Sequence, residues 1–509
     1  MKKQIQNACW LGEDGWFHWG TIHLDGGRIE KLDSDYASDD PAKGDAVAAL
    51  RWPAAARRID ADGLFIVPGL IDAHVHLREP GQEHKEGIVH GTLAALKGGV
   101  TTVLDMPNNV PPCTTRERFE EKRARFAETS RVNYGLFLQA VPGGPQAPKN
   151  SAGVKIYMAK SSELAALRDV DALERVFRRQ SLAVIHAEDE RKFSTVWKKV
   201  FHAVENPEKS FPYRGKNPDK FSIPWKNGEK VFHGVENSGK GRANRPGEPR
   251  LLESRLGGDA SPYLELAHHL RRPRAAVRAA LKSIETAWRR VPAKNRPRLV
   301  IAHCSTADEI EWVARMKRLG HDVWAETCPH YFLLNEDDYL RVGPCYQVNP
   351  PLRSEEDRAA VWEAVKSGGL DFVSTDHAPH LPKEKASAEP PPSGIGGIEW
   401  LGPILLTLAK RGEITWKRYL ELSGANAARC YGIEGRGGIR EGAWADLVFA
   451  EATKKSAAAD EKIVTRAAWH PYPDFEFTAR IRAAMVNGHF AWADGKARRG
   501  RYGREIYET

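Results

Sequence analysis

The sequence predicts an α/β protein, a (β/α)8 TIM-type barrel with a small β domain built from the N- and C-terminal segments. Three observations carry this. Eight short apolar strand segments follow one another between Leu70 and Thr375, with amphipathic helical segments between several of them. Metal-ligand and acid–base residue types stand at the C-terminal ends of those strands, the face on which such barrels carry their chemistry. The two ends of the chain lack this alternation and read as short strands and turns.

Composition agrees with a globular chain. The 509 residues allow one large domain and a smaller one. Hydrophobic content is 41% and charged content 28%, which excludes an intrinsically disordered chain. No apolar run nears the roughly 18 residues that a membrane span needs. The start, MKKQIQNACWLGEDGW, has two lysines but no apolar core behind them, so no secretory signal is expected. Cys9, Cys113, Cys304, Cys328, Cys345 and Cys430 are scattered with no C-x-x-C pair, which points to a reducing cytoplasm. The net charge of +9 reads as a solvated basic surface, because no nucleic-acid-binding signature accompanies it.

Residues 1–65 are expected to be the N-terminal part of the small β domain. Strand pieces at 8–11, 16–22 and 64–67 are parted there by breakers such as DGG and DSD. The barrel takes 66–430. Its strands are expected at 70–75, 100–105, 133–138, 153–157, 182–185, 299–302, 322–326 and 372–375. Helices are expected around 86–96, ended by Gly98-Gly99, and at 163–179, 307–319, 355–366 and 400–410. Between strands five and six, residues 187–298 far exceed the roughly thirty to forty that one helix and its loops need. The excess is a basic insertion at about 195–262, centred on 211–250. It serves either as surface decoration or as a lid or docking arm on the active-site side. A helix at 263–287 leads out of it. Residues 431–509 complete the small β domain, with strands at 445–450 and 483–492.

The stretch GLIDAHVHLREPG, residues 69–81, anchors the candidate site. Strand alternation puts Asp72, His74 and His76 on one face, and two imidazoles so spaced can grip one metal ion. Arg78 lies just past the strand end. His186 follows the apolar strand LAVI, His303 follows LVIA and Asp376 follows FVST. Any one of these histidines alone would read as a satisfied buried side chain. Five such residues at matching strand ends form a nitrogen and oxygen ligand set suited to zinc, with manganese or cobalt as alternatives. Lys155 sits inside the apolar strand GVKIYM, where an unpaired ammonium is costly. Either it pairs with an acid, or it adds CO2 and becomes a carbamate anion able to bridge two metals.

GLIDAHVHLREPG, the MPNN after strand two, GVKIYM, IHAE, IAHCST, NPPLR and STDHAPH occur in this order from Gly69 to His380. Together they resemble the dihydroorotases of the cyclic amidohydrolase superfamily, and the trailing GGIREGAWADLVF is similar too. The resemblance covers most of the chain outside about 195–262. It implies a hydrolase of pyrimidine biosynthesis that interconverts N-carbamoyl-L-aspartate and L-dihydroorotate plus water, using a metal-bridging hydroxide. It implies two zinc ions per chain. His74, His76 and Asp376 would hold the more buried ion, His186 and His303 the second, and Lys155, as a CO2-derived carbamate, would bridge them. Asp376 would also be the general acid/base. Arg78, Asn108 and His380 would bind the substrate carboxylate, to which an arginine fork is suited, and Asn349 would contact the ring. A homo-oligomer and an aspartate carbamoyltransferase are the protein partners the resemblance allows. Neither nucleic acid nor membrane is expected, and the location is cytoplasmic.

Plainer alternatives stand beside these roles. Arg78 could pair with Glu79 at the surface. Asn108 and Asn349, each beside a proline, could be turn residues, and His380 an exposed loop histidine. Ser161 and Ser162 serve equally as substrate donors or as a helix N-cap, and stay outside the site. Two other functions compete. An allantoinase or dihydropyrimidinase would act on cyclic amides without the carboxylate, against which Arg78 argues. A catalytically silent scaffold for a carbamoyltransferase would not need the ligand set that is present.

Overall fold

The computed structural model describes residues 2–39, 58–61, 63–160, 166–193, 268–387, 391–457 and 462–507. The insertion at about 195–262, its 211–250 centre, and Ser161 and Ser162 lie outside the described residues.

The chain begins with the antiparallel strands β1 (Lys3–Leu11), β2 (Phe17–Asp25) and β3 (Arg28–Ser38). The short β4 (Arg58–Asp60) and β5 (Phe65–Pro68) then run parallel to β1. Strand β3, RIEKLDSDYAS, has no hydrophobic run to announce it. It forms one edge of its sheet, where charged side chains are tolerated and discourage further pairing.

Eight parallel staves follow. They are β6 (Leu70–Val75), β7 (Val100–Asp105), β8 (Asn133–Leu136) continued by β9 (Leu138–Gln139), β10 (Val154–Tyr157), β11 (Leu182–His186), β12 (Arg298–Ile301), β13 (Val323–Thr327) and β14 (Phe372–Val373). Every residue of β6, β7 and β10 is buried, as expected for strands covered on both faces. The ring closes at a narrow seam. Val75 bridges His377, the His76 amide donates to the His377 carbonyl at 2.8 Å, and the Asp72 carboxylate accepts from the Thr375 amide at 3.0 Å.

Most helices fall where periodicity puts them. Helix Ile88–Lys97 ends at Gly98, and Ala307–Arg318 and Glu355–Ser367 carry N-caps on Thr306 and Ser354. Two differ from expectation. The helix expected over 163–179 is Val170–Phe177. Asp169 caps it by accepting from the amides of Asp171 and Ala172, and residues 166–169 are not helical. The helix expected over 263–287 is two, His268–Arg271 and Arg274–Arg290, parted at Pro273, whose ring cannot continue the first. Among the described residues no helix is long and apolar enough to cross a membrane.

The C-terminal segment returns to the first sheet as β15 (Leu447–Ala457), β16 (Glu476–Val486), β17 (His489–Ala493) and β18 (Lys496–Ala497), with β15 antiparallel to β5. The strand expected at 483–492 is instead a hairpin. Asn487 and Gly488, both at positive φ (49° and 77°), turn β16 back into β17. Buried Asp446 ties sheet to barrel. Its carboxylate accepts from the Asn133 amide side chain at 3.1 Å and the Asn487 backbone at 2.7 Å, and its carbonyl from Gly69 at 2.8 Å.

Candidate metal centre and substrate pocket

At the C-terminal mouth of the barrel, β6 and the residues after β14 bring His74, His76 and Asp376 into one buried metal-binding group. Asp376 Oδ1 is 2.9 Å from His76 Nε2 and 3.4 Å from His74 Nε2. The other ring nitrogen of each histidine is also held. His74 Nδ1 contacts Glu326, which accepts from Ser374 Oγ at 2.8 Å, and His76 Nδ1 lies 2.5 Å from Asn108 Oδ1. Such outer contacts orient ligating imidazoles.

Lys155 on β10 is wholly buried, and its Nζ lies 3.5 Å from His74 Nε2. Among the described residues it forms no ion pair, so the first of the two alternatives, an acid partner, is not found there. Burial pushes the amine down to about 8 despite Glu326 and Asp376 nearby. His186, at the end of β11, presents Nδ1 to His303 Nε2 at 3.1 Å. Burial lowers the proton affinity of both rings, and for His303 the neighbouring His186 and Lys155 lower it further. Two neutral ring nitrogens facing one another at this distance suit a shared cation. The donor set as a whole, four imidazoles, a carboxylate and a buried lysine, fits divalent metal.

Burial alone would raise the Asp376 carboxyl, but His74 and His76 hold it well below the usual range, so it is ionised. Arg78, His303 and Asp376 all take positive φ (64°, 41° and 45°). Left-handed backbone at non-glycine residues costs about 1–3 kcal/mol each and concentrates at functional sites. Gly81, at φ 100°, lets the loop after β6 lie against the Val110 carbonyl, which a Cβ would strike. That contact joins the loop carrying Arg78 to the loop carrying Asn108.

Above the cluster opens a cavity of about 500 Å³, lined by His74, His76, Arg78, Asn108, His186, His303, Asn349, Asp376 and His380 among others. Arg78 is buried, and its Nη2 lies 3.1 Å from His380 Nε2. The surface pairing with Glu79 does not occur. Glu79 accepts from the Ile88 amide at 2.9 Å and lies 3.7 Å from Arg125. His380 is buried rather than an exposed loop residue, and Asn349 Oδ1 lies 3.0 Å from His268 Nε2.

Sequence reasoning passed over four residues around this site. Glu326 stands in a predicted strand, where an acid among apolar residues was a usable signal. Glu188, in the IHAE motif, lies 3.1 Å from His186 Nε2 and is clamped by Arg272 at 3.0 Å and Arg353 at 3.1 Å. Only the fold brings those two arginines there.

Residues 63–142 match the family model described as dihydro-orotase-like, and residues 238–491 match that of the amidohydrolase family. The chain is similar to the dihydroorotase of Bacillus cereus (strain G9842), at 29% identity over 496 residues, covering 97% of this chain and 98% of that protein. It is similar to the dihydroorotase of Bacillus thuringiensis (strain Al Hakam) at the same identity and coverage. Among solved structures, L-hydantoinase (dihydropyrimidinase) from Arthrobacter aurescens superposes with a TM-score of 0.76 and 22% identity over 99% of both chains. Dihydropyrimidinase from Brevibacillus agri NCHU1002 gives 0.73 and 21%, over 99% of this chain and 98% of that one. The structural likeness establishes the fold, a TIM-type barrel with a mixed sheet from the two chain ends. The family matches and the buried His74/His76/Asp376 group agree with it, and the chain is a dihydroorotase-like amidohydrolase.

Proposed function

We propose that the protein is a dihydroorotase, interconverting N-carbamoyl-L-aspartate and L-dihydroorotate plus water in pyrimidine biosynthesis. One observation supports this substrate above others. Arg78 is buried on the cavity wall, forms no ion pair among the described residues, and its Nε has no hydrogen-bond partner. A buried cation without a counter-ion is costly, and a substrate carboxylate supplies one. A cyclic amide lacking that carboxylate would leave the guanidinium unpaired in the complex. The allantoinase or dihydropyrimidinase alternative therefore comes second. The silent scaffold comes last, because no ligand of the set is missing.

In this proposal His74, His76 and Asp376 would hold one zinc or similar divalent ion, His186 and His303 would hold a second, and Lys155, as the carbamate, would serve both. The depressed Lys155 amine has the neutral form that adds CO2, releasing a proton to leave the carbamate. Metal bound there supplies an acidic water and a polarised carbonyl. The remaining work falls to the chain's own side chains. Arg78, His380 and Asn108 hold the carboxylate and thereby fix the ring, which Asn349 also contacts. Asp376, ionised and held by His76, takes the proton of the attacking water and returns it to the leaving amide nitrogen. In this scheme the catalytic domain is 66–430, though Ile66–Pro68 of β5 still pair in the small sheet, and 1–65 with 431–509 form the small β domain.

The test is turnover by the purified full-length protein, supplied with zinc and bicarbonate. Dihydroorotate should be opened faster than dihydrouracil or allantoin. No hydrolysis, or faster turnover of the uncharged rings, rejects the proposal.

A further inference from the structure

We infer that Lys85 is a positioning residue that fixes the proton of His380 on Nε2, so that His380 and Arg78 donate together to the carboxylate of a cyclic amide substrate. The substrate's identity rests on the dihydroorotase proposal; the tautomer does not.

Lys85 lies seven residues beyond Arg78, in the loop between β6 and helix Ile88–Lys97. It is largely buried but does not line the cavity, so it acts through another side chain. Its Nζ is 3.1 Å from His380 Nδ1. An ammonium has donors and no acceptor, so Nδ1 must accept. On the ring's other side Nε2 lies 3.2 Å from the Ser393 carbonyl, which can only accept, so Nε2 must carry the proton. These two contacts are independent and agree, and they outweigh the single contact that favours a bare Nε2, that of Arg78 Nη2 at 3.1 Å. The ring has a single proton to place, because burial and then Arg78, Lys385 and Lys85 hold its pKa far below the ordinary value.

This tautomer leaves a conflict that a ligand resolves. Arg78 Nη2, a donor, faces the Nε2–H donor across 3.1 Å. Nε2–H donates to the neutral Ser393 carbonyl until an anionic oxygen, which can accept from both donors at once, takes its place. Glu384 is the alternative partner for Nδ1. At 3.8 Å it is beyond hydrogen-bond reach, and Lys85 occupies it at 3.3 Å. Without Lys85, Glu384 would draw the proton to Nδ1. Nε2 would then present a lone pair to Arg78 and repel a carboxylate.

Lys85→Met should raise the KM for dihydroorotate about 10- to 100-fold, the worth of one charge-assisted hydrogen bond, with kcat little changed. The KM for dihydrouracil, which has no carboxylate, should not follow. Lys85→Arg still offers a donor and should restore the KM. A merely structural role would move both substrates together and would not be rescued. The second measurement is 15N NMR of the metal-loaded full-length protein labelled at histidine, with His380→Gln to assign the signal. It should report Nε2–H in the wild type and Nδ1–H in Lys85→Met. A wild-type Nδ1–H ring, an unchanged tautomer in the variant, or equal KM effects on both substrates overturns the inference. If the wild type fails to open dihydroorotate, the dihydroorotase proposal falls and the NMR result still decides the role of Lys85.

Discussion

Replacing Lys122 with methionine should cost about 3–5 kcal/mol of stability, and should weaken substrate binding at a cavity that Lys122 does not line. Lys122 is wholly buried. Its Nζ lies 2.5 Å from Asp105 Oδ2 and donates to the Met106 carbonyl at 2.7 Å. Asp105 Oδ1 in turn accepts from the Leu77 amide at 2.7 Å, one residue before Arg78. Removing the ammonium leaves a carboxylate at the end of β7 with no counter-ion, and breaking one half of a buried pair carries that penalty. The carboxylate must then take a proton or pull away, and either change loosens the backbone that aims Arg78. Adding Asp105→Asn removes the uncompensated charge while keeping an acceptor for Leu77. The double variant should therefore recover most of the loss, a coupling well outside simple additivity. The assay is the midpoint of the first urea transition, since a chain of this size does not unfold in one step, together with the KM for dihydroorotate. A Lys122→Met cost under about 1 kcal/mol, or a double variant no more stable than the single, refutes the reasoning.

Arg78→Met should lower kcat/KM for dihydroorotate by about 10- to 100-fold, and by much less for dihydrouracil; equal losses would remove Arg78 as the carboxylate's partner. Glu326→Gln weakens the acceptor that orients His74 and should reduce metal affinity about 10- to 100-fold, read as metal per chain after dialysis against a graded chelator. The metal-free protein in CO2-free buffer should gain stability with rising pH relative to Lys155→Met. The folded pKa of Lys155 is lowered to about 8 from 10.5, so the unfolded chain binds more protons between those values. The penalty is fully present below pH 8 and disappears by about pH 10.5, a gain of about 3 kcal/mol in urea titrations across that window. A flat difference would show that the amine is not desolvated.

All eight staves were legible because each is a short apolar run ending in a polar residue, and burial on both faces demands that pattern. His74, His76, His186, His303 and Asp376 were legible for the same reason: each stands where its strand ends. Lys155 was conspicuous as a charge inside a buried strand. Less was legible where local signals competed. The apolar pattern continued backwards across Asp169, whose capping carboxylate ends the helix there. The Asn487-Gly488 turn was hidden inside a run of strand formers. Strand β3 needed the sheet edge to explain its charges. Partners far apart in the chain were out of reach of any pattern. His74 and Glu326 are separated by 252 residues, and Lys85 and His380 by 295. The roles of Asn108 and Glu188 as orienters of histidines depend on loops that meet only after the barrel closes.

The seam of that barrel has a thermodynamic consequence. β14 is two residues long, the residues just after it, Thr375 and His377, meet β6 through a few hydrogen bonds, and across this joint His76 and Asp376 stand 300 residues apart in the chain. A divalent ion held by both would act as a removable cross-link at the point where the ring shuts. In the chain-entropy account of cross-links, closing a loop of that length removes about 6 kcal/mol of freedom from the unfolded chain. Metal occupancy would then govern how long the chain survives heat or protease as well as how fast it turns over, and stripping the ion would loosen the first and last staves before the middle of the barrel.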